Sequence, residues 1–137
     1  MSSGERVTRS TLGGQAFPIL SPRPLPAVPE RVWSQEEWER ICLGWQARDM
    51  DEKWDIFAED SKLFMHQSWT GYCIYEASFI GADGGVRITE GVVESDQSRY
   101  RSPSEEFDCV MVELLIRSIL LGETATELRR KLWPRSR

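Results

Sequence analysis

The only histidine of the chain, His66, lies in the segment whose residue types are best suited to chemistry. Strands are predicted at 53–58 and 62–68, joined by a tight turn, and the alternation of side chains places Asp55 opposite His66. A carboxylate beside an imidazole can orient the ring and raise its basicity, as an acid–base or ligand-binding site requires. Ser68 lies close by but lacks the GxSxG context of a nucleophile, so we infer no Ser–His–Asp triad. Three roles stay open for His66: a structural ring packed among aromatic side chains, a ligand contact, and an acid/base oriented by Asp55.

The turn that follows His66 carries the aromatic and hydroxyl side chains of a candidate binding site. Tyrosine and tryptophan combine a flat apolar body with one polar handle, which suits stacking on a base or a sugar and equally suits a protein interface. A three-residue loop would bring Tyr72 onto the face of His66, whereas a four-residue loop would bring Tyr75 there. The candidate ligand-binding residues are His66, Ser68, Trp69, Thr70, Tyr72, Tyr75 and Lys53. If the protein is an enzyme, the candidate catalytic residues are His66 and Asp55.

The rest of the chain must position this segment. Turn-forming glycines and period-two alternation predict two further strands, at 72–80 and 86–93. A helix is predicted at 34–47, where the letters SQEE have the spacing of a capping box, and a short helix at 123–132. Another helix, at 104–121, carries a wide apolar arc and should be largely buried. We therefore predict an α+β fold: an antiparallel meander sheet of about four strands, packed by a long buried C-terminal helix and an N-terminal helix.

The N-terminal region is rich in proline. Proline removes backbone donors and favours extended conformations, so residues 1–30 are predicted to form a flexible arm. The alternative is a strap that lays apolar residues such as Phe17 on the domain or on a partner subunit, and the latter would make the protein a homo-oligomer. A single α+β domain is predicted at 31–132, followed by a basic tail at 133–137.

Charge and composition exclude some classes of function. The net charge is −5 and the pI is near 5.0, which argues against nucleic-acid binding because that needs a basic surface. No CxxC pair, HxxxH spacing or phosphate-binding glycine motif occurs, so no metal site and no cofactor is predicted. The three cysteines are far apart, and no apolar run approaches the ~20 residues of a membrane helix. We therefore expect a protein of the reducing cytoplasm that does not enter membranes.

The central segment also resembles a known sequence pattern. Its letters KWxIxxED and LFxHxSWTGYCIYE are similar to the pattern DKWFIF–ED–LYFHRSWTGYCIYE of a family of small uncharacterised bacterial proteins, a pattern shared with sequences connected with ADP-ribosylglycohydrolases. The resemblance covers about 27 of the 137 residues, positions 50–76, and implies a bacterial cytosolic domain linked to ADP-ribose or NAD. Gln67 stands where the pattern has arginine, and Asp55 stands where it has an aromatic residue. If relatives bind an anion through that arginine, Gln67 cannot, because an amide carries no charge.

These residues favour a non-enzymatic binding or regulatory module. Its HxSWTGY turn would recognise a small polar or nucleotide-like ligand or a protein partner. One alternative is a hydrolase acting on a nucleotide or ADP-ribosyl group, with His66 as acid/base. Another is a homo-oligomeric structural protein joined through the N-terminal arm.

Overall fold

A five-stranded antiparallel sheet is the framework of the domain. The structure, a computed structural model, describes residues 6–132, so the predicted tail at 133–137 and the first five residues of the predicted arm lie outside the described residues. The strands are β1 (Pro22–Pro24), β2 (Trp54–Glu59), β3 (Lys62–Gln67), β4 (Cys73–Ala82) and β5 (Gly85–Glu94), in the order β1-β5-β4-β3-β2. The helices are α1 (Gln35–Leu43), α2 (Glu105–Leu114) and α3 (Thr126–Leu132), with a 3₁₀-helix at Ser10–Gln15 and a π-helix at Leu115–Leu120. The α+β class is confirmed, but the sheet has one strand more than predicted.

The additional strand, β1, comes from the proline-rich segment. The backbone N–H of Leu25 donates to the carbonyl oxygen of Gly91 in β5, and the carbonyl oxygen of Ser21 accepts an N–H from the chain just after β5, both at 2.9 Å. Because backbone groups of consecutive strand residues point to opposite sides, Pro22 and Pro24 turn theirs away from β5. Proline has no N–H to offer on that outer side, so β1 closes this edge of the sheet against a further strand.

Residues 6–21, here called the N-terminal strap, run from β2 to β5 across the sheet face opposite the helices. The guanidinium of Arg6 donates to a carbonyl oxygen of β2 at 2.8 Å, and that of Arg9 lies 5.0 Å from the centroid of the Phe57 ring. Phe17 then exchanges backbone hydrogen bonds with the turn between β3 and β4. Part of the sheet face that does not contact the helices is therefore covered by the strap of the same chain.

The start of α1 follows the prediction, and its end does not. Ser34 Oγ accepts from the backbone N–H of Glu37, and the Glu37 carboxylate accepts from the N–H of Ser34, which is the predicted capping box. The helix ends at Leu43 rather than at 47. Gly44 has a φ of 73°, and the backbone of Trp45 then pairs with β2. The turn at Gly44 thus places the loop that follows α1 beside β2, at the edge of the β2–β3 hairpin.

The C-terminal helix runs from residue 105 to residue 120 but changes type on the way. After α2 the next six residues form a π-helix, and the N–H of Leu121 donates to the carbonyl oxygen of Ile116. Its buried side chains join β2 and β3 in one core. The predicted helix at 104–121 is therefore matched in place and burial, whereas its regularity is not. The short terminal helix is confirmed as α3.

Candidate functional site

The hairpin register matches the prediction, but the predicted histidine–carboxylate pair does not form. Asp55 lies opposite His66 across β2 and β3. The Asp55 carboxylate accepts instead from the backbone N–H of Ala47 at 2.7 Å, and His66 Nδ1 is 2.9 Å from the carbonyl oxygen of Gly71. A carbonyl oxygen only accepts, so Nδ1 carries the proton and Gly71, rather than Asp55, orients the ring.

His66 lies inside the protein, beneath the strap. Its side chain is 1% exposed and stacks on Phe57 with ring centroids 5.5 Å apart. Burial lowers the pKa of the imidazole, and the nearby guanidinium of Arg9 lowers that pKa further. Among the described residues, Nε2 has no hydrogen-bond partner. The ring is therefore packed against Phe57, with its Nδ1–H directed at the Gly71 carbonyl oxygen.

A β-bulge decides which side chain faces His66. Cys73 is the residue opposite His66, but Tyr75 is opposite Met65, so the register shifts by one residue between the two pairs. The prediction that a tyrosine joins the face of His66 is wrong for both loop lengths, because neither allowed for a bulge in β4. Tyr72 lies instead against Phe17 of the strap, with ring centroids 6.0 Å apart.

Tyr75 belongs to a buried hydrogen-bonded cluster on the other face of the sheet. Asp108 is 0% exposed, and its Oδ1 accepts from the hydroxyls of Tyr75 at 2.7 Å and Tyr100 at 2.6 Å. Its Oδ2 accepts from the Ser102 hydroxyl and lies 3.7 Å from the guanidinium of Arg23. Burial raises the pKa of both tyrosine hydroxyls. They therefore stay protonated donors, and the cluster holds α2 and β1 to the sheet.

Sequence reasoning did not single out Asp108 or Tyr100. A signal for Asp108 was present, since it lies four and seven residues before Val112 and Leu115 on the buried face of the helix. A carboxylate on an apolar helix face requires buried donors. Nothing in the local sequence around Tyr100 indicates that its hydroxyl donates to a buried carboxylate.

An open cleft of about 460 Å³ lies between residues 46–50 and the turn after β3. Three hydrogen bonds join the turn after β3 to residues 50–53 beside the cleft. The Ser68 N–H and hydroxyl donate to the carbonyl oxygens of Lys53 and Glu52, each at 2.8 Å, and Trp69 Nε1 donates to that of Met50 at 3.0 Å. The residues that line the cleft are Gln46, Ala47, Arg48, Asp49, Met50, Asp55, Ser68 and Trp69.

Two of the residues that line this cleft expose large apolar side chains. Trp69 is 64% exposed and Met50 is 71% exposed. Large apolar side chains that stand together on a surface mark interaction sites more often than single ones do. The Trp69 indole N–H is bonded to the backbone carbonyl oxygen of Met50, and both residues line the cleft.

The predicted site residues thus fall into separate places. Asp55, Ser68 and Trp69 line the cleft. Lys53 is exposed in a neighbouring groove with Trp54 and Ile119. Thr70 is exposed and its hydroxyl accepts from the N–H of Tyr72; His66, Tyr72 and Tyr75 lie elsewhere, as described above.

Within residues 6–132, no group of three or more histidine, cysteine, aspartate or glutamate side chains is placed to hold a metal ion. In the same range, every helix is too short or too polar to cross a membrane. Comparisons with protein-family models, with curated proteins and with solved structures found no match.

Proposed function

We propose that this domain is a non-enzymatic binding module whose site is the cleft beside Trp69. The observation that carries the proposal is the state of Trp69, which leaves 64% of its surface exposed while its N–H is fixed by the Met50 carbonyl oxygen. Covering a large apolar side chain gains about 1.5–3 kcal/mol. A side chain that is already held in place loses little conformational freedom when a ligand binds.

Binding is better supported than the hydrolase alternative. An acid/base must reach the proton that it transfers. The His66 side chain is 1% exposed, and its Nδ1–H donates to the Gly71 carbonyl oxygen. The Asp55 carboxylate accepts a hydrogen bond from the Ala47 N–H. The homo-oligomer alternative is less favoured too, because the strap makes its contacts with its own sheet and Pro22 and Pro24 close the β1 edge.

Thermal melting with and without ligands tests the proposal. The panel contains ADP-ribose, NAD, cyclic nucleotides, and amine and guanidine compounds. At a hundredfold excess over Kd a ligand stabilises by about 2.7 kcal/mol, which raises Tm by roughly 10 °C for a domain of this size. We expect at least one compound to raise Tm in the unmodified protein and in Ile80→Ala, which removes another exposed apolar side chain, but not in Trp69→Ala.

The proposal is refuted if no compound shifts Tm, or if the shift survives Trp69→Ala. Trp69→Phe keeps an aromatic ring and removes the donor to Met50. It should retain a reduced shift, which separates loss of stacking from loss of the hydrogen bond.

A further inference from the structure

We infer that the Trp69 cleft binds a guanidinium group, presented by an arginine side chain of a polypeptide partner. This inference rests on the proposed function and names the chemistry of its ligand. Three features of the cleft carry it: its free hydrogen-bonding groups, its charge and its flat aromatic wall.

Four of the hydrogen-bond donors around the cleft are already used. The N–H groups of Ala47 and Arg48 donate to the carboxylates of Asp55 and Glu52. The Ser68 hydroxyl and the Trp69 indole N–H donate to carbonyl oxygens of the facing loop. Acceptors remain, because the Ser68 oxygen keeps its lone pairs and the Asp55 carboxylate has a second oxygen. A ligand rich in donors matches these groups, and guanidinium has five N–H donors and no acceptor.

The charge of the cleft also favours a cationic ligand. Asp49 and Asp55 line it, with Arg48 as the one cation among its lining residues. The Arg48 guanidinium lies over the Trp45 ring at 4.6 Å and pairs with Glu52 at 3.5 Å. The guanidinium of Arg48 thus already has an aromatic and a carboxylate partner on its own loop. The carboxylates leave the cleft negative, which attracts a cation and repels a phosphate.

The shape of a guanidinium fits the aromatic wall. The face of an indole ring is its negative side and attracts cations, and a planar guanidinium can stack on it while its edge donates to a carboxylate. Trp69 and Asp55 supply these two surfaces in one cleft. A peptide-borne arginine suits the site better than the free amino acid, whose own carboxylate would approach Asp49, while the exposed side chain of Met50 can contact neighbouring peptide atoms.

Two-dimensional NMR of the full chain tests the inference through the indole N–H peak of Trp69, identified by its absence in Trp69→Phe. The probe is N-acetyl-L-arginine amide. The matched probes are its neutral isostere N-acetyl-L-citrulline amide, free L-arginine and AMP. We expect the arginine amide to shift the Trp69 peak in a saturable way, the free amino acid to bind more weakly, and the other two to leave the peak unmoved.

Asp55→Asn provides an independent arm, since an amide oxygen can still accept from Ala47 while the charge is lost. Loss of a charge-assisted hydrogen bond should weaken binding about tenfold to a hundredfold. Asp83→Asn, which neutralises an exposed carboxylate in the β4–β5 turn, should leave the affinity unchanged. Equal binding of the citrulline probe, or unchanged affinity in Asp55→Asn, overturns the inference. If AMP shifts the Trp69 peak and the arginine amide does not, the inference fails and the binding function stands; if no probe or panel compound moves that peak, both fail.

Discussion

Lowering the pH from about 7 to about 5 should destabilise the domain, and His66 should account for the loss. Burial holds the pKa of the folded imidazole below 6.5, whereas in the unfolded chain it is about 6.5. Below that value the unfolded state therefore binds a proton that the folded state does not. Stability is full above pH ~6.5, declines as the pH falls towards the folded pKa, and then levels off.

The magnitude follows from the composition of the chain. The protein has one histidine, so folding excludes at most one proton in this window, and the slope cannot exceed about 1.4 kcal/mol per pH unit. The carboxyl groups with lowered pKa, such as Glu94 and Glu123, lose their contribution only as the pH falls below ~4.3. The window between pH ~5 and ~6.5 therefore reports His66.

Urea unfolding at a series of pH values is the assay, with His66→Asn as the control. Asparagine places an amide donor near the position of Nδ1 and does not titrate. The unmodified protein should show the slope and the variant should be flat in this window, whatever its absolute stability. Equal slopes in the two proteins, or an NMR titration that places the pKa of His66 at or above 6.5, would refute the description of His66 as a buried neutral ring.

Two further variants test the framework around the site. Gly85→Ala should lower the free energy of unfolding by more than about 2 kcal/mol, because its φ of 155° and the overlap of a new methyl group with the Trp33 carbonyl oxygen both oppose the change. The control Gly81→Ala, in open space, should leave that free energy unchanged or raise it by up to about 1 kcal/mol. Tyr100→Phe should lower the unfolding free energy in urea by about 1–3 kcal/mol because Asp108 loses a buried donor, and a neutral result would contradict the role of that cluster.

The hairpin was predictable because its determinants are local. A short turn between two alternating strands fixes the register, and Asp55 accordingly lies opposite His66. The capping box at Ser34 was predictable for the same reason, since both of its partners lie within one turn. The hydrogen bond from Ala47 to Asp55, eight residues apart, depends on the early end of α1 at Gly44 and on the pairing of Trp45 with β2. The predicted end of that helix at 47 excluded this contact.

The bulge in β4 and the fifth strand were harder to predict, for different reasons. A bulge adds one residue without changing composition, and the consecutive buried residues Cys73, Ile74 and Tyr75 are its only trace. The fifth strand did leave a signal, because Pro22 and Pro24 are spaced by two, as an edge strand with outward-facing prolines requires. Composition alone favoured an arm, whereas the spacing favours an edge strand.

A crystallographic screen of small polar fragments tests the binding site most directly. We expect fragments to collect in the cleft beside Trp69, stacked on its ring and within hydrogen-bond distance of Asp55. A cleft that stays empty while fragments occupy other grooves, such as the one lined by Arg6 and Arg9, would contradict the proposed binding site.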